Sequence, residues 1–535
     1  MAWGAPRGVD DLIAKLKGNT TASTMCILST RKFGTSDAVA FSAALSDNTS
    51  LSELLASGHP LEVAGATALG EAMSRNSTLR SLCVGDNTFG DEGVLALVEG
   101  LQCNRGLLVL DLEFKSIASA EGLDTLLKAH PTLEDLRLGR NQLGATGIKT
   151  LSAGLMFTAT LLRLDLSRNL INAAAAEALG YALFGDHPTG NNTDGDENGI
   201  SVSAGAAGGT VKGPPPPPLE FLDVSRNPLG DEGGAALLTA IGTSPTLTGL
   251  VMAEAGLGAR AATALAAALA PGPLRRPPTG VDAPLSTPGA TAGARACAVA
   301  SSEEVLSSRP PIIPTTIATT KNRRGLPMLK TLDVSNNDVG VGGTTEIAGA
   351  LSGGGAPQLE SLSIGYNNVG DEGAAALGRA AGLRLASLDL SGNALSGVGV
   401  GAVLSAPGLR EAKLFHNACG DEGVPLVLKA LVAGGTVETL DLGANGLTGA
   451  GFEALLPGLA ACSSLQTLEV GANANDDRAE EAIRQSQRGN PALDIAFRRG
   501  GEAMEGSGAP PGAGVRGASA AGLGTAAVAA QQPSD

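Results

Sequence analysis

The hydrophobic residues of this chain follow a short phrase that recurs many times, Leu-x-x-Leu-x-Leu-x-x-Asn. In one clear copy, Leu161, Leu164 and Leu166 precede Asn169. Because alternate residues of a β-strand point to opposite sides, the phrase predicts a short strand with its leucines turned inward. The Asn is predicted to turn the chain and to satisfy the backbone groups that the turn exposes. Clear copies end at Asn87, Asn141, Asn169, Asn227, Asn337, Asn367, Asn393, Asn417, Asn445 and Asn473.

The spacing of these asparagines defines the repeat. Asn141 and Asn169 lie 28 residues apart, and the same step separates Asn417 from Asn445. Weaker copies place Lys115, Ala255, His59 and Arg31 in the Asn position, which gives about fourteen units with a degenerate first one. A period in the upper twenties is typical of leucine-rich repeats, whose units contain one strand and one helix.

A second phrase, Gly-Asp-Glu-Gly, follows four of the asparagines, at 90–93, 230–233, 370–373 and 420–423. Asp is a favoured N-cap residue, and Glu suits the first turn of a helix because the helix dipole favours negative charge there. We therefore expect a helix to begin at each of these segments, capped by its own Asp. Runs such as 374–377 then supply small helix-forming residues.

Strand and helix alternate, and no single unit can bury its own apolar side, so the units must stack. The predicted fold is an α/β leucine-rich-repeat solenoid, a horseshoe with parallel strands on the concave face and helices on the convex face. Its core is expected to contain strand leucines, among them Leu164, Leu166, Leu332 and Leu388.

The unit from Leu359 to Gly373, with Leu362, Ile364 and Asn367 in the motif positions, resembles the ribonuclease-inhibitor subtype of leucine-rich repeat. The same subtype is found in the repeat regions of NOD-like receptors and Ran GTPase-activating proteins. The resemblance covers roughly residues 20 to 497, apart from two insertions. It implies a non-enzymatic scaffold that binds a protein on the concave face or its rim. A regulator of a small Ran-like GTPase is the alternative that it implies.

Two low-complexity insertions and a tail interrupt or follow the repeats. Their Gly, Asn, Pro, Ser and Ala content predicts disorder, because they hold too little apolar surface to offset the entropy of ordering. The predicted organisation is an N-terminal helix or cap (1–22), repeats (23–183), an insertion (184–218), repeats (219–270), an insertion (271–328), repeats with a C-terminal cap (329–497) and a tail (498–535).

Five consecutive prolines, Pro214 to Pro218, end the first insertion. Such a run favours the polyproline II conformation, which SH3, WW and EVH1 domains recognise. Because Leu219 begins the next predicted strand unit, a stiff spacer is the favoured interpretation, and a ligand for a polyproline-reading domain is the alternative.

Composition limits the partners and the compartment. The net charge of −16 argues against nucleic acid and anionic membranes as partners, because both require a basic field. No signal-peptide h-region occurs in residues 1–18, and no apolar run reaches the length of a membrane helix. Six cysteines lack paired spacing, and Cys26 and Cys419 are predicted in the core. We expect a cytoplasmic location, with the nucleus as the alternative.

The outward residues of the predicted strands form two rows and a cluster. Six of ten residues in one row are acidic: Arg137, Asp165, Asp223, Val251, Asp333, Ser363, Asp389, Lys413, Asp441 and Glu469. Immediately before the Asn, three successive units carry Arg140, Arg168 and Arg226. These arginines either pair sideways with Asp165 and Asp223 or present guanidinium groups to carboxylates or phosphates of a partner.

The cluster comprises Tyr366, Phe415 and His416, which we expect to meet as an interface anchor. No motif for a catalytic nucleophile, a phosphate-binding loop or a metal site occurs. The sequence therefore predicts no enzyme, no cofactor and no metal site, and leaves the identity of the protein partner open.

Overall fold

A computed structural model describes residues 8–185, 216–271, 325–380, 384–433, 435–474 and 476–497. Within these ranges, fifteen strands form one parallel sheet in chain order, and a helix follows nearly every strand. This arrangement is the predicted α/β leucine-rich-repeat solenoid. The predicted insertions 184–218 and 271–328 and the tail 498–535 lie mainly outside the described residues.

The described elements have the following bounds. The strands are β1 (Thr24–Cys26), β2 (Glu53–Ser57), β3 (Ser81–Gly85), β4 (Val109–Asp111), β5 (Asp135–Arg137), β6 (Arg163–Asp165), β7 (Phe221–Asp223), β8 (Gly249–Val251), β9 (Thr331–Asp333), β10 (Ser361–Ser363), β11 (Ser387–Asp389), β12 (Glu411–Lys413), β13 (Thr439–Asp441), β14 (Thr467–Glu469) and β15 (Asp494–Ala496). The α-helices are α1 (Asp10–Lys17), α2 (Thr35–Leu45), α3 (Val63–Arg75), α4 (Gly90–Leu101), α5 (Leu123–Ala129), α6 (Gly144–Leu155), α7 (Ala173–Phe184), α8 (Gly230–Ile241), α9 (Ala259–Leu269), α10 (Gly340–Ser352), α11 (Gly370–Ala380), α12 (Gly397–Leu404), α13 (Gly420–Val432), α14 (Gly449–Gly458) and α15 (Asp477–Gly489).

The strand leucines form the core between the sheet and the helices. Leu164, Leu166, Leu332 and Leu388 are each at most 2% exposed, as predicted. The register continues across both predicted insertions, because Leu164 pairs with Leu222 of β7, and Leu250 of β8 pairs with Leu332. The segments between these strands therefore leave the stacking of neighbouring repeats unchanged.

The motif asparagines join neighbouring repeats through hydrogen bonds. The Asn393 side chain accepts the N–H groups of Asn367 (2.8 Å) and Val369 (3.2 Å), and its amide donates to the Ile364 and Ser391 carbonyls (3.0 and 3.2 Å). Buried asparagines at 141, 169, 227, 367, 417 and 445 occupy the same position. The predicted role of the Asn is confirmed, and most of its bonds cross to the preceding repeat.

The prediction for Asn87 was wrong. Asn87 is exposed, and the next unit carries Lys115 in the Asn position. The Lys115 side chain is 1% exposed, and its Nζ donates to Ser57 Oγ at 3.0 Å. Cys26, predicted in the core, is also exposed, whereas Cys419 is buried.

A second series of buried asparagines, missed in the sequence, lies where the helices return to the strands. The Asn76 side chain donates to the Leu45 and Asn48 carbonyls, and Asn104 donates to the Met73 and Asn76 carbonyls. Residues 48, 76 and 104 recur at a step of 28, and that step is the signal that could have revealed them.

The Gly-Asp-Glu-Gly segments do begin helices, but the predicted capping was wrong in one respect. Each helix begins at the first Gly, and its Asp lies inside the first turn. The Asp instead caps the next repeat: Asp231 Oδ1 accepts the N–H groups of Gly258 and Ala261 at 2.9 and 2.7 Å, at the start of α9. Asp371 and Asp421 do the same at the starts of α12 and α14, whereas Asp91 accepts the Ala118 and Ser119 N–H groups in the segment before α5.

Three of the five prolines, residues 216–218, are described, and Pro217 is buried. Burial against the repeat supports the interpretation of a spacer, since a polyproline-reading domain requires an accessible run. No helix within the described ranges is long and apolar enough to cross a bilayer.

Candidate functional site

The solvent side of the sheet, called here the strand face, carries a row of residues with left-handed backbone. They lie immediately before the Asn position in the units of β4 to β14, with φ from +53° to +65°. From Phe114 to Ala444, the N–H of each residue in this row donates to a carbonyl on the next repeat, as Arg140 does to Ser167 (2.7 Å) and Tyr366 to Ser391 (2.7 Å). This left-handed row comprises Phe114, Arg140, Arg168, Arg226, Glu254, Asn336, Tyr366, Gly392, His416, Ala444 and Ala472.

The choice of residues in this row is informative. Left-handed backbone costs a residue with a Cβ about 1–2 kcal/mol, whereas Gly adopts it freely and Asn does so with little strain. Yet the chain places Phe114, Tyr366, His416 and three arginines there, and all of these side chains are exposed. Neither backbone preference nor core packing explains large side chains at these positions.

The three predicted arginines lie on the consecutive units of β5, β6 and β7. Arg140 Nε is 3.2 Å from Glu113 Oε1, and Arg226 Nε is 3.0 Å from Glu254 Oε2. The predicted sideways pairs with Asp165 and Asp223 do not form at these two arginines. Both observed pairs are about half exposed, so each contributes little to stability and can exchange for a partner's carboxylate.

The aspartates of the acidic row have a local structural role. The carboxylates of Asp165, Asp223, Asp333, Asp389 and Asp441 each accept the N–H two residues further on, at 2.8–2.9 Å. This bond holds the turn that follows each strand. Burial raises the pKa of Asp223 to about 6, and the neighbouring Asp165 and Asp333 carboxylates add to the shift.

The structure brings the predicted aromatic cluster together. The Tyr366 and His416 rings have centroids 6.2 Å apart and planes 26° apart, and the Phe415 and His416 rings are 6.2 Å and 35° apart. Gly392, which lies between Tyr366 and His416 in the row, makes room for them. A Cβ at Gly392 would lie 2.3 Å from the Tyr366 ring, and a Cβ at Gly443 would lie 2.8 Å from the Phe415 ring.

The sequence interpretation missed Phe114, which is 58% exposed and lies in the left-handed row beside Arg140. Its unit lacks the Asn that marks the motif, so the position was overlooked. The spacing of 26 residues between Phe114 and Arg140 could have identified it.

The described residues hold no group of three or more His, Cys, Asp or Glu side chains arranged for a metal ion. At the N-terminal end of the strand face, burial and the Asp111 carboxylate raise the pKa of the Cys83 thiol to about 11. A thiol in this state is a poor nucleophile at neutral pH. The exposed side chains of the strand face include guanidinium groups, carboxylates and aromatic rings.

Comparisons with known proteins agree with this architecture. A family model described as Leucine Rich repeat matches residues 75–98, 129–152, 216–238, 325–348 and 357–378. The comparison with curated proteins yields no match.

Solved structures with similarity to the chain include the leiomodin-1 actin-binding site 2, at 18% identity and a TM-score of 0.21, covering 29% of this chain and 77% of that chain. An internalin (InlF) from Listeria monocytogenes is 13% identical with a TM-score of 0.37, covering 86% and 89%. The TLR13 chain of a TLR13–ssRNA13 complex is 15% identical with a TM-score of 0.34, covering 79% and 57%. Similarities this low carry no inference about a partner. The five matched segments and the single parallel sheet together show that the described residues form an α/β leucine-rich-repeat solenoid.

Proposed function

We propose that this protein is a non-enzymatic scaffold that binds another protein through its strand face, with Arg140, Arg168 and Arg226 as a leading contact row. The observation that carries the proposal is the left-handed row itself. At positions where Gly or Asn would cost least, the chain exposes Arg, Phe, Tyr and His side chains. Leucine-rich repeats generally mediate contacts between proteins.

The charges on the row indicate what the partner presents there. Three guanidinium groups follow one another at the spacing of parallel strands, about 4.8 Å per step. Such a series fits two or more carboxylates, because a guanidinium group binds a carboxylate through two parallel hydrogen bonds. We place the protein in the cytoplasm, on the unpaired cysteine spacing and the acidic composition.

The test is a triple charge reversal, Arg140→Glu, Arg168→Glu and Arg226→Glu. Partners are captured from a lysate with the wild-type chain, identified, purified and then titrated against each variant. The reversal should abolish binding, and wild-type binding should weaken as salt rises because exposed charge pairs are screened.

A matched control reverses Arg75, Arg260 and Arg379, which are exposed on helices α3, α9 and α11. It changes the net charge by the same amount on the opposite side of the sheet and should leave binding intact. Normal binding by the row variant would remove the arginines from the interface. Equal loss in both variants would show that net charge alone controls the interaction.

A further inference from the structure

The aromatic residues near the C-terminal end of the strand face form a platform beside a group of carboxylates. We propose that this platform, defined as Tyr366, His416 and Phe415, binds an arginine side chain of the protein partner, with Asp441 and Glu469 as its counter-charges. This inference rests on the proposed function. It specifies the chemical group that the partner contributes at one contact.

The platform is built by two glycines. The Tyr366 ring occupies the space that a side chain at 392 would take, with Cδ1 and Cε1 both 2.3 Å from an added Cβ. The Phe415 ring covers Gly443 in the same way. The Tyr366 and Phe415 rings each have a centroid 6.2 Å from that of His416, with planes 26° and 35° from the His416 plane, so the three rings are adjacent and roughly parallel. All three side chains are exposed although large apolar groups are scarce on the strand face.

Carboxylates adjoin this surface. An added Cβ at Gly443 would lie 3.1 Å from Asp441 Oδ1 and 2.8 Å from the Phe415 ring. The Phe415 ring and the Asp441 carboxylate therefore both lie beside Gly443. Glu469 pairs in register with Asp441 on the next strand. Lys413 pairs in register with Asp441 on the other side, and its Nζ is 3.3 Å from Glu411 Oε1. This patch therefore has more carboxylates than cations.

The electrostatics favour a cation at this place. Burial and the Glu469 and Asp389 charges raise the pKa of the Asp441 carboxyl above its ordinary value, while Lys413 opposes the shift. A cation placed among these carboxylates would relieve their repulsion. Phosphate groups and acidic side chains would increase it, which argues against nucleic acid and acidic peptides as occupants.

Arginine fits this combination better than lysine. Its guanidinium group is planar and weakly hydrated, so it can stack on an aromatic face while its N–H groups bind a carboxylate. A lysine ammonium is strongly hydrated and lacks a flat face. The platform should therefore distinguish the two cations, whereas a purely acidic patch would not.

The experiment uses the full chain and two fluorescently labelled probes, nona-arginine and nona-lysine peptides, in anisotropy titrations at low salt. Wild-type protein should bind nona-arginine more tightly. The double variant Tyr366→Ala and Phe415→Ala should lose roughly tenfold in affinity for nona-arginine, with little change for nona-lysine. Gly392→Ala should reproduce part of this loss, because the added Cβ displaces the Tyr366 ring without removing it.

The matched control is Phe157→Ala, which removes an aromatic side chain of similar exposure (45%) that follows helix α6. It should leave both affinities unchanged. The variant Asp441→Asn with Glu469→Gln should weaken both probes.

Equal nona-arginine binding by wild type and the double aromatic variant would overturn the proposal. So would a loss confined to the carboxylate variant, since that pattern describes a simple acidic patch. These outcomes are independent of the arginine-row test, which concerns other residues and a captured partner, so failure of one proposal is distinguishable from failure of the other.

Discussion

The Asp371 carboxylate lies at the start of the helix that belongs to the next repeat, where its Oδ1 accepts the Ser396 N–H at 2.8 Å. The same oxygen accepts the Gly399 N–H at 3.1 Å, inside the first turn of α12. These are two of the N–H groups that a helix leaves without internal partners. The bond therefore ties two repeats together at their helix ends, and Asp231 and Asp421 of two other Gly-Asp-Glu-Gly segments repeat it.

We predict that Asp371→Ala lowers the free energy of unfolding by about 1–2 kcal/mol, the usual cost of losing a helix cap. The damage should concentrate in α12, where amide hydrogen exchange should become faster. The control is Glu372→Ala, because Glu372 is the exposed neighbour in the same phrase and should cost under about 0.5 kcal/mol. Faster exchange in α11 but not in α12 would contradict capping across the repeats.

The buried asparagine series predicts a large difference between two residues in the same motif position. Asn393→Ala removes four hydrogen bonds and leaves buried N–H and C=O groups without partners, at about 1–3 kcal/mol for each group. We expect a loss above about 3 kcal/mol in chemical denaturation. Asn87→Ala should change stability by under about 0.5 kcal/mol, because Asn87 is exposed. Similar losses in both variants would show that the position in the motif, and not burial, determines how much the Asn contributes to the free energy of unfolding.

Two leucines six residues apart provide the corresponding test of the core. Leu164 is fully buried in β6, whereas Leu170 is 61% exposed with left-handed backbone. Leu164→Ala should cost about 2–5 kcal/mol, and protease sensitivity near β6 should rise because solenoid stability depends on neighbouring repeats. Leu170→Ala should cost under about 0.5 kcal/mol. An equal response to both substitutions would mean that the strand register is wrong.

The Asp223 carboxyl predicts a pH-dependent stability. Burial raises its pKa to about 6, so the native state retains a proton that the unfolded chain releases near pH 4. Stability from this group is present at low pH and is lost as pH rises through about 6. Asp223→Asn should therefore match wild type at pH 3.5 and exceed its free energy of unfolding by up to about 3 kcal/mol at pH 7.5.

Denaturation at the two pH values measures this difference. The Asn oxygen at 223 can still accept the Ser225 N–H, so the turn is retained. Asp47→Asn, at an exposed site, is the control and should show no such gain at pH 7.5. A stabilisation by Asp223→Asn of the same size at both pH values would exclude ionisation as its cause.

Much of the fold was predictable because the same sequence motif occurs about fourteen times along the chain. Each copy pairs a period-two strand pattern with an Asn turn, and stacking is the only way for such units to bury Leu164 or Leu388. The same repetition placed Arg140, Arg168 and Arg226 in one row, since equal motif positions become neighbours in a parallel sheet. The sequence pattern was sufficient to predict a contact wherever that contact joins equivalent positions of adjacent repeats.

Only the tertiary structure decided which side chains and backbone groups contact one another between repeats. The Asp of Gly-Asp-Glu-Gly could cap its own helix or another, and the position of the neighbouring helix end selects the latter. Asn87 and Asn393 occupy the same position of the sequence motif, but Asn87 is exposed whereas Asn393 is buried. Similarly, Gly392, in the turn after β11, leaves open the space that the Tyr366 ring occupies beside His416. Sequence alone determined the repeating unit, whereas contacts that depend on the identity of the next unit required the stacked structure.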